Sequence, residues 1–188
     1  MPVQVLLNDD FELARVGESL RAGAGSWTEN HGYPCSAIVT DSGPSQGCND
    51  TSKQWARMDR ARHGRTEGHF SNHSSVTGGQ LHVSLWLYVV RNDVDATPSS
   101  SVVELGIGST LAGCVHLAAS TRAGNDVWSN DAGQHQVDRG VDFKDETWQQ
   151  WQVWIDMDKG TFEYSVDDLK SGLLRLGNND DESSPRYW

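Results

Sequence analysis

The sequence predicts an all-β fold, an antiparallel sandwich or barrel with few or no helices. No stretch of about twelve residues carries apolar side chains at the period of an amphipathic helix. Short segments of alternating polar and apolar residues recur instead, and polar turn clusters such as SGPSQG, AGND and NDAG separate them. Many short strands with polar turns are typical of two packed antiparallel sheets.

Strand patterns run along most of the chain. The segments with this pattern are 3–7, 36–40, 54–59, 80–90, 101–108, 113–120, 148–157, 161–166 and 172–176. No internal repeat and no linker divides them, so we expect a single domain over residues 1–177. The polar stretch 178–188 is expected to be a tail or arm.

The segment TWQQWQVWIDMDKGTFEYSVDD, residues 147–168, predicts a hairpin. Gly160 in its turn suits a backbone with positive φ. Alternation assigns two rows to the core, Trp151, Val153, Ile155 and Met157 on the first strand and Phe162, Tyr164 and Val166 on the return strand. Trp148 and Trp154 lie on the opposite side. Packing under an adjoining segment is preferred for them, and contact with a ligand is the alternative.

Segment 80–90 carries an apolar row on one side and a mixed row on the other. The apolar row consists of Leu81, Val83, Leu85, Leu87 and Val89, and the mixed row of His82, Ser84, Trp86, Tyr88 and Val90. A sheet face with Trp and Tyr among small polar residues suits the stacking of sugar rings, because polar neighbours can bond the sugar hydroxyls.

Other polar side chains extend this surface if their strands neighbour segment 80–90 in one sheet. Glu104 and His116 point away from the apolar rows of their own segments, and Arg122 follows the second of these. The predicted glycan site then consists of Trp86, Tyr88, Glu104, His116 and Arg122. An outer face covered by a loop or by another subunit explains the same pattern, and both interpretations stay open.

The charge excludes several classes of partner. The net charge of −11 argues against nucleic acid and against anionic lipid. No apolar run approaches the ~20 residues that a membrane helix needs, so no membrane insertion is expected. The net charge is compatible with a neutral or cationic partner, and the acidic residues provide carboxylates for calcium. The alternative is that the acidic residues only keep the protein soluble.

Cys35 and Cys48 bracket a loop and are a candidate disulfide pair if the compartment is oxidising. The cysteines and histidines lack the spacing of a zinc site. The histidine-containing segment GHFSNHSS, residues 68–75, is expected to be a loop.

Three stretches resemble the concanavalin-A-like, laminin-G-like jelly-roll superfamily. They are LNDDFELARVGESL, GGQLHVSLWLYVV and the hairpin of residues 147–168. The resemblance implies a two-sheet jelly-roll sandwich. A final strand found in many relatives is not evident after residue 177, so an open edge covered by a neighbouring subunit is expected there.

The resemblance also implies binding of glycans or protein surfaces and a structural calcium. Its candidate ligands are Asp9, Asp10 and Glu12 near the start, with Asp167 and Asp168. The alternative is that both acidic groups are ordinary turn residues.

Some proteins of this superfamily are glycoside hydrolases or polysaccharide lyases. A hydrolase needs two acids facing one cleft, and no strand carries such a pair. Asp142, Asp145 and Glu146 lie in a segment that is expected to be a loop, and there is no nucleophile elbow, zinc motif or phosphate loop.

The sequence therefore favours a non-catalytic module that binds glycans. The alternative is a structural, decoration or fibre protein of a larger assembly such as a virion, with neighbouring subunits as partners. A polysaccharide-active lyase or hydrolase is a weaker alternative. An extracellular, cell-surface or virion-surface location is favoured, although no signal peptide is visible.

Overall fold

The computed structural model describes residues 10–18, 28–30, 36–44, 47–48, 51–59, 69–71, 78–90, 101–109, 113–120, 126–131 and 134–176. This part of the chain contains thirteen strands and no helix, and every strand pair is antiparallel. The predicted all-β, antiparallel fold is confirmed at that level.

The strands follow one another along the chain as β1 (Thr28–Asn30), β2 (Ser36–Thr40), β3 (Trp55–Asp59), β4 (His69–Ser71), β5 (Gln80–Tyr88), β6 (Ser101–Ser109), β7 (Gly113–Ser120), β8 (Asp126–Asp131), β9 (Gln134–Asp142), β10 (Trp148–Asp156), β11 (Thr161–Val166), β12 (Leu169–Lys170) and β13 (Leu174–Arg175). They belong to two compact units, Met1–Ser74 and Ser75–Tyr187. The single domain over 1–177 stays a prediction.

The first unit contains two small sheets. β1 pairs with β4, and β2 pairs with β3. Residues 10–18 approach β2, where Gly17 N–H donates to Val39 O at 2.7 Å and Val39 N–H donates to Glu18 O at 2.9 Å. Val39 is buried.

The second unit contains a five-stranded sheet in the order β12-β11-β10-β5, with β13 also paired to β11. Its register places apolar side chains opposite one another. Trp151 on β10 lies opposite Leu85 on β5, and Val153 lies opposite both Val83 on β5 and Tyr164 on β11. The two neighbours of β10 therefore present their apolar rows on the same side.

A four-stranded sheet, β6-β7-β8-β9, supplies the second layer of this unit. Side chains of both sheets form one buried cluster, and it includes Val115, Leu117, Val127, Val141, Trp151, Val153, Ile155, Phe162, Tyr164, Val166 and Leu174. The Tyr164 hydroxyl donates to Val127 O at 2.9 Å, so a buried hydrogen bond joins the two sheets. The result is a sandwich-like pair of sheets around one core.

The apolar rows predicted from the sequence are confirmed. Trp151, Phe162 and Tyr164 are among the most deeply buried large side chains, and Leu81, Val83, Leu85 and Leu87 pack against the same core. Gly160 has a φ of +64° in the turn that joins β10 to β11. The jelly-roll topology stays a prediction, and the predicted strand 3–7 and tail 178–188 lie outside the described residues.

Some strands were not predicted from the sequence pattern. β8 and β9 carry few apolar residues in DVWSND and QHQVDRGVD, so their alternation is weak. The expectation that 68–75 forms only a loop is wrong, because His69–Ser71 pair with β1. Backbone hydrogen bonds to a partner strand define this segment, and its own pattern carries no such signal.

The buried phenol of Tyr164 makes stability depend on alkaline pH. Burial raises the pKa of Tyr164 to about 12 from an ordinary value of 10.0. The folded state therefore favours the neutral phenol, and its contribution is complete below about pH 10 and is lost as the pH rises through about 12. We expect a loss of about 2–3 kcal/mol in the free energy of unfolding from this group.

The comparison of wild type with Tyr164→Phe isolates this effect in urea titrations. Near neutral pH the variant should be less stable by about 1 kcal/mol, because Val127 O loses its donor. This difference should shrink and then reverse towards pH 12. A constant difference across this range would contradict the assignment.

Candidate functional site: the outer face of the five-stranded sheet

The side of the five-stranded sheet that faces away from the core carries the candidate site. Its side chains alternate with the buried rows of β5, β10 and β11. We call this the outer face, and its members by register are Gln80, His82, Ser84, Trp86, Tyr88, Trp148, Gln150, Gln152, Trp154, Asp156, Thr161, Glu163, Ser165, Lys170 and Arg175.

Three aromatic residues meet at one end of this face, and we call them the aromatic corner: Trp86, Tyr88 and Trp148. Trp148 lies directly opposite Tyr88, and their ring centroids are 5.4 Å apart at an interplanar angle of 58°. Trp86 lies opposite Gln150 and is 40% exposed. Of the Trp, Tyr and Phe side chains whose burial is described, Trp86 is the most exposed. Its ring can therefore receive a flat apolar ligand.

Next to the corner, uncharged polar side chains form a hydrogen-bonded chain. Gln152 Oε1 lies 3.2 Å from His82 Nε2, which must donate because a carbonyl oxygen only accepts. Gln152 Nε2 donates to Gln150 Oε1 at 3.3 Å, and Gln150 Nε2 donates to Ser84 Oγ at 3.1 Å. We call Gln150, Gln152 and Ser84 the amide strip. These bonds fix the orientation of both amides before any ligand arrives.

Trp154, at the far end of the face, is engaged by its own neighbours. His82 stacks on it with centroids 5.1 Å apart and planes 5° from parallel. Lys170 Nζ lies 5.8 Å from the centroid of the same ring. His82 comes from the β5 side of β10 and Lys170 from the β12 side. Trp154 is thus engaged by two neighbours, whereas Trp86 is 40% exposed.

The charged groups of the outer face lie at this far end and beside the hairpin turn. Lys159 Nζ donates to Asp156 Oδ2 at 2.7 Å, and the hydrogen bond lowers the pKa of Asp156. The same contact raises the pKa of Lys159. Lys170 Nζ lies 3.9 Å from Glu163 Oε1. Lys159 and Lys170 thus each have an acidic neighbour.

The structure brings together some of the residues predicted for a glycan site. Trp86 and Tyr88 lie on the outer face, as their alternation indicated. The condition that linked them to Glu104 and His116 is not met, because β5 pairs with β10 whereas β6 and β7 belong to the four-stranded sheet. Arg122 lies outside the described residues.

The sequence pattern gave Gln150 and Gln152 no predicted role in binding. Gln150 and Gln152 share a row with Trp148 in WQQWQVW, so their common direction was readable from the alternation. The pairing of β10 with β5 was not readable, because the two strands are far apart in the sequence.

The acidic residues predicted as calcium ligands hold backbone groups in place. Glu12 Oε1 accepts the N–H groups of Lys53 at 2.6 Å and Gln54 at 3.1 Å, and Asp10 Oδ1 accepts the N–H of Glu12 at 3.1 Å. These bonds tie the segment 10–18 to the residues before β3.

Asp167 plays a similar part after β11. Its Oδ1 accepts the N–H of Gln150 at 2.9 Å, and its Oδ2 accepts Nε2 of the buried Gln149 at 3.0 Å. Its own N–H donates to Gln150 O at 2.8 Å, and its φ is +50°. Asp is one of the few residues that adopt this left-handed backbone readily.

Calcium binding by Asp9, Asp10, Glu12, Asp167 and Asp168 and a Cys35–Cys48 disulfide stay predictions. Asp168 is exposed, and Asp9 and Cys35 lie outside the described residues. Cys48 Sγ lies 3.2 Å from Ser52 Oγ. Among the described residues, no three His, Cys, Asp or Glu side chains converge in a way that could hold a metal ion.

Comparisons with protein-family models, with curated proteins and with solved structures gave no match. Among the described residues, none belongs to a helix with the length and apolarity that crossing a membrane requires.

The contacts of Asp167 predict a stability effect that does not depend on calcium. Asp167→Ala should lower the free energy of unfolding by about 1–3 kcal/mol, because it removes two hydrogen bonds and leaves alanine at a positive φ. The loss should be equal with calcium and with excess EDTA in urea titrations. Asp168→Ala is the matched control and should change little. A loss that appears only with calcium would instead identify Asp167 as a calcium ligand.

Proposed function

We propose that this protein is a non-catalytic module that binds glycans on the outer face of its five-stranded sheet. The observation that carries the proposal is the exposed ring of Trp86 beside the amide strip. An aromatic face takes up the C–H surface of a pyranose ring, and fixed amides and hydroxyls bond its rim.

The position of the ring relative to the polar groups supports the proposal. Trp86 lies directly opposite Gln150, whose Nε2 donates to Ser84 Oγ. The two strands thereby place a stacking surface and oriented polar atoms side by side. Each amide uses one N–H within the strip, so its second N–H and the Ser84 O–H can serve a ligand.

The chemistry of the acidic residues supports binding without catalysis. Glycoside hydrolysis requires one carboxyl group that stays protonated to serve as the acid, and such a group has a raised pKa. The pKa of Asp156 is instead lowered by Lys159. The carboxylate of Glu163 lies beside Lys170 and the stacked Trp154, at the end of the face away from Trp86.

The test is the retention of the protein on immobilised or arrayed oligosaccharides. Trp86→Ala should weaken binding at least about tenfold, equivalent to ~1.4 kcal/mol, whereas Trp86→Phe should retain part of it by keeping an aromatic face. Leu173→Ala is the matched control, because Leu173 is 74% exposed and belongs to neither the aromatic corner nor the amide strip.

Two outcomes contradict the proposal. If the wild-type protein binds no glycan on a broad array, the outer face has another occupant, such as a protein partner. If Trp86→Ala and Leu173→Ala bind as well as wild type, the glycan is held elsewhere on the molecule.

A further inference from the structure

The charge distribution around Trp86 points to the kind of glycan that this face accepts. By register, the described side chains next to Trp86 on the outer face are uncharged: Ser84 and Tyr88 on β5, and Trp148, Gln150 and Gln152 on β10. An acidic residue, Asp167, lies close to this end, because its carboxyl group accepts the Gln150 N–H. Of the described cations of this sheet and its hairpin turn, Lys159 and Lys170 lie beside acidic groups, and Arg175 lies opposite Thr161 at the end of the sheet away from Trp86.

Among the described residues, the register places no cation next to Trp86 that could pair with an anionic sugar. A carboxylate or sulfate group binds well where Arg or Lys pairs with it, and burying such a charge without a partner is costly. The chain as a whole has a net charge of −11, which adds a long-range repulsion. A neutral sugar carries no charge, so neither the cost of burying an unpaired charge nor the long-range repulsion weakens its binding.

The layout of the polar groups indicates how a neutral chain would lie. Trp148 and Trp154 are six residues apart on one strand, which corresponds to ~20 Å. The amide strip runs between them along β10, next to Trp86. The available length exceeds that of one sugar ring, so an extended oligosaccharide can stack at the aromatic corner and continue over the strip.

We infer that the ligand is a neutral, extended glycan that stacks on Trp86 at the aromatic corner and bonds the amide strip along β10. The inference rests on the proposed function and adds to it the charge class of the sugar and its direction on the sheet. Binding then depends on aromatic contact and neutral hydrogen bonds, so it should be insensitive to salt.

The experiment is isothermal titration of the purified protein with neutral oligosaccharides of increasing length and with anionic polysaccharides. Each anionic polysaccharide is compared with its carboxyl-reduced form, which keeps the backbone and removes the charge. We expect neutral chains to bind more tightly with length, and carboxyl reduction to raise affinity. Affinity for neutral chains should be unchanged from low to high salt.

Variants separate the two parts of the site. Gln150→Ala and Gln152→Ala should each weaken binding of longer chains about fivefold to tenfold, the effect of one lost hydrogen bond. Trp86→Ala should weaken binding of short and long chains alike. Circular dichroism of each variant checks that the sheet is intact.

The outcomes distinguish a failure of this inference from a failure of the proposed function. Preference for anionic glycans, with affinity that falls in salt, overturns the inference and leaves glycan binding in place. Equal affinity for single sugars and long chains, or no effect of both glutamine variants, overturns the extended mode. Absence of binding to any glycan overturns the proposed function itself.

Discussion

The period-two alternation of β10 is the constraint on which the second unit depends. β10 lies between β5 and β11, and its side chains alternate strictly between buried and partly exposed positions along Trp148–Asp156. A shift of one residue in its register would exchange the two rows. Trp151 and Val153 would then leave the core, and glutamines would enter it. The burial of one row therefore fixes the direction of the other.

Through this register, the buried row of β10 determines the position of the candidate site. Trp151, Val153 and Ile155 pack against the four-stranded sheet, and the hydrogen bond from Tyr164 to Val127 O joins the two sheets. The opposite row of β10 must point outwards, where it meets the outward row of β5. The aromatic corner and the amide strip are consequences of that single register, since both combine residues of the two strands. A recognition surface of this kind needs no loop to position it.

The sequence predicted the buried rows well and the neighbours of strands poorly. Alternation identified the direction of Trp86 and of Trp151 because each segment carries its own pattern. Glu104 and His116 were grouped with Trp86 on an assumption about strand order, and strand order depends on contacts between distant segments that no local pattern encodes. The role of Trp154 was equally hidden, because His82 and Lys170, which engage it, come from two other strands.

The most direct test of the register is the reactivity of single cysteines in the folded protein. Ser84→Cys and Gln152→Cys report on the outer row, and Val83→Cys and Val153→Cys report on the inner row of the same strands. The natural residues Cys35, Cys48 and Cys114 are replaced by serine in this background. We expect rapid labelling by a thiol reagent at 84 and 152 and slow labelling at 83 and 153. Labelling at Val153→Cys as fast as at Gln152→Cys, in protein that remains folded, would show that this register is wrong.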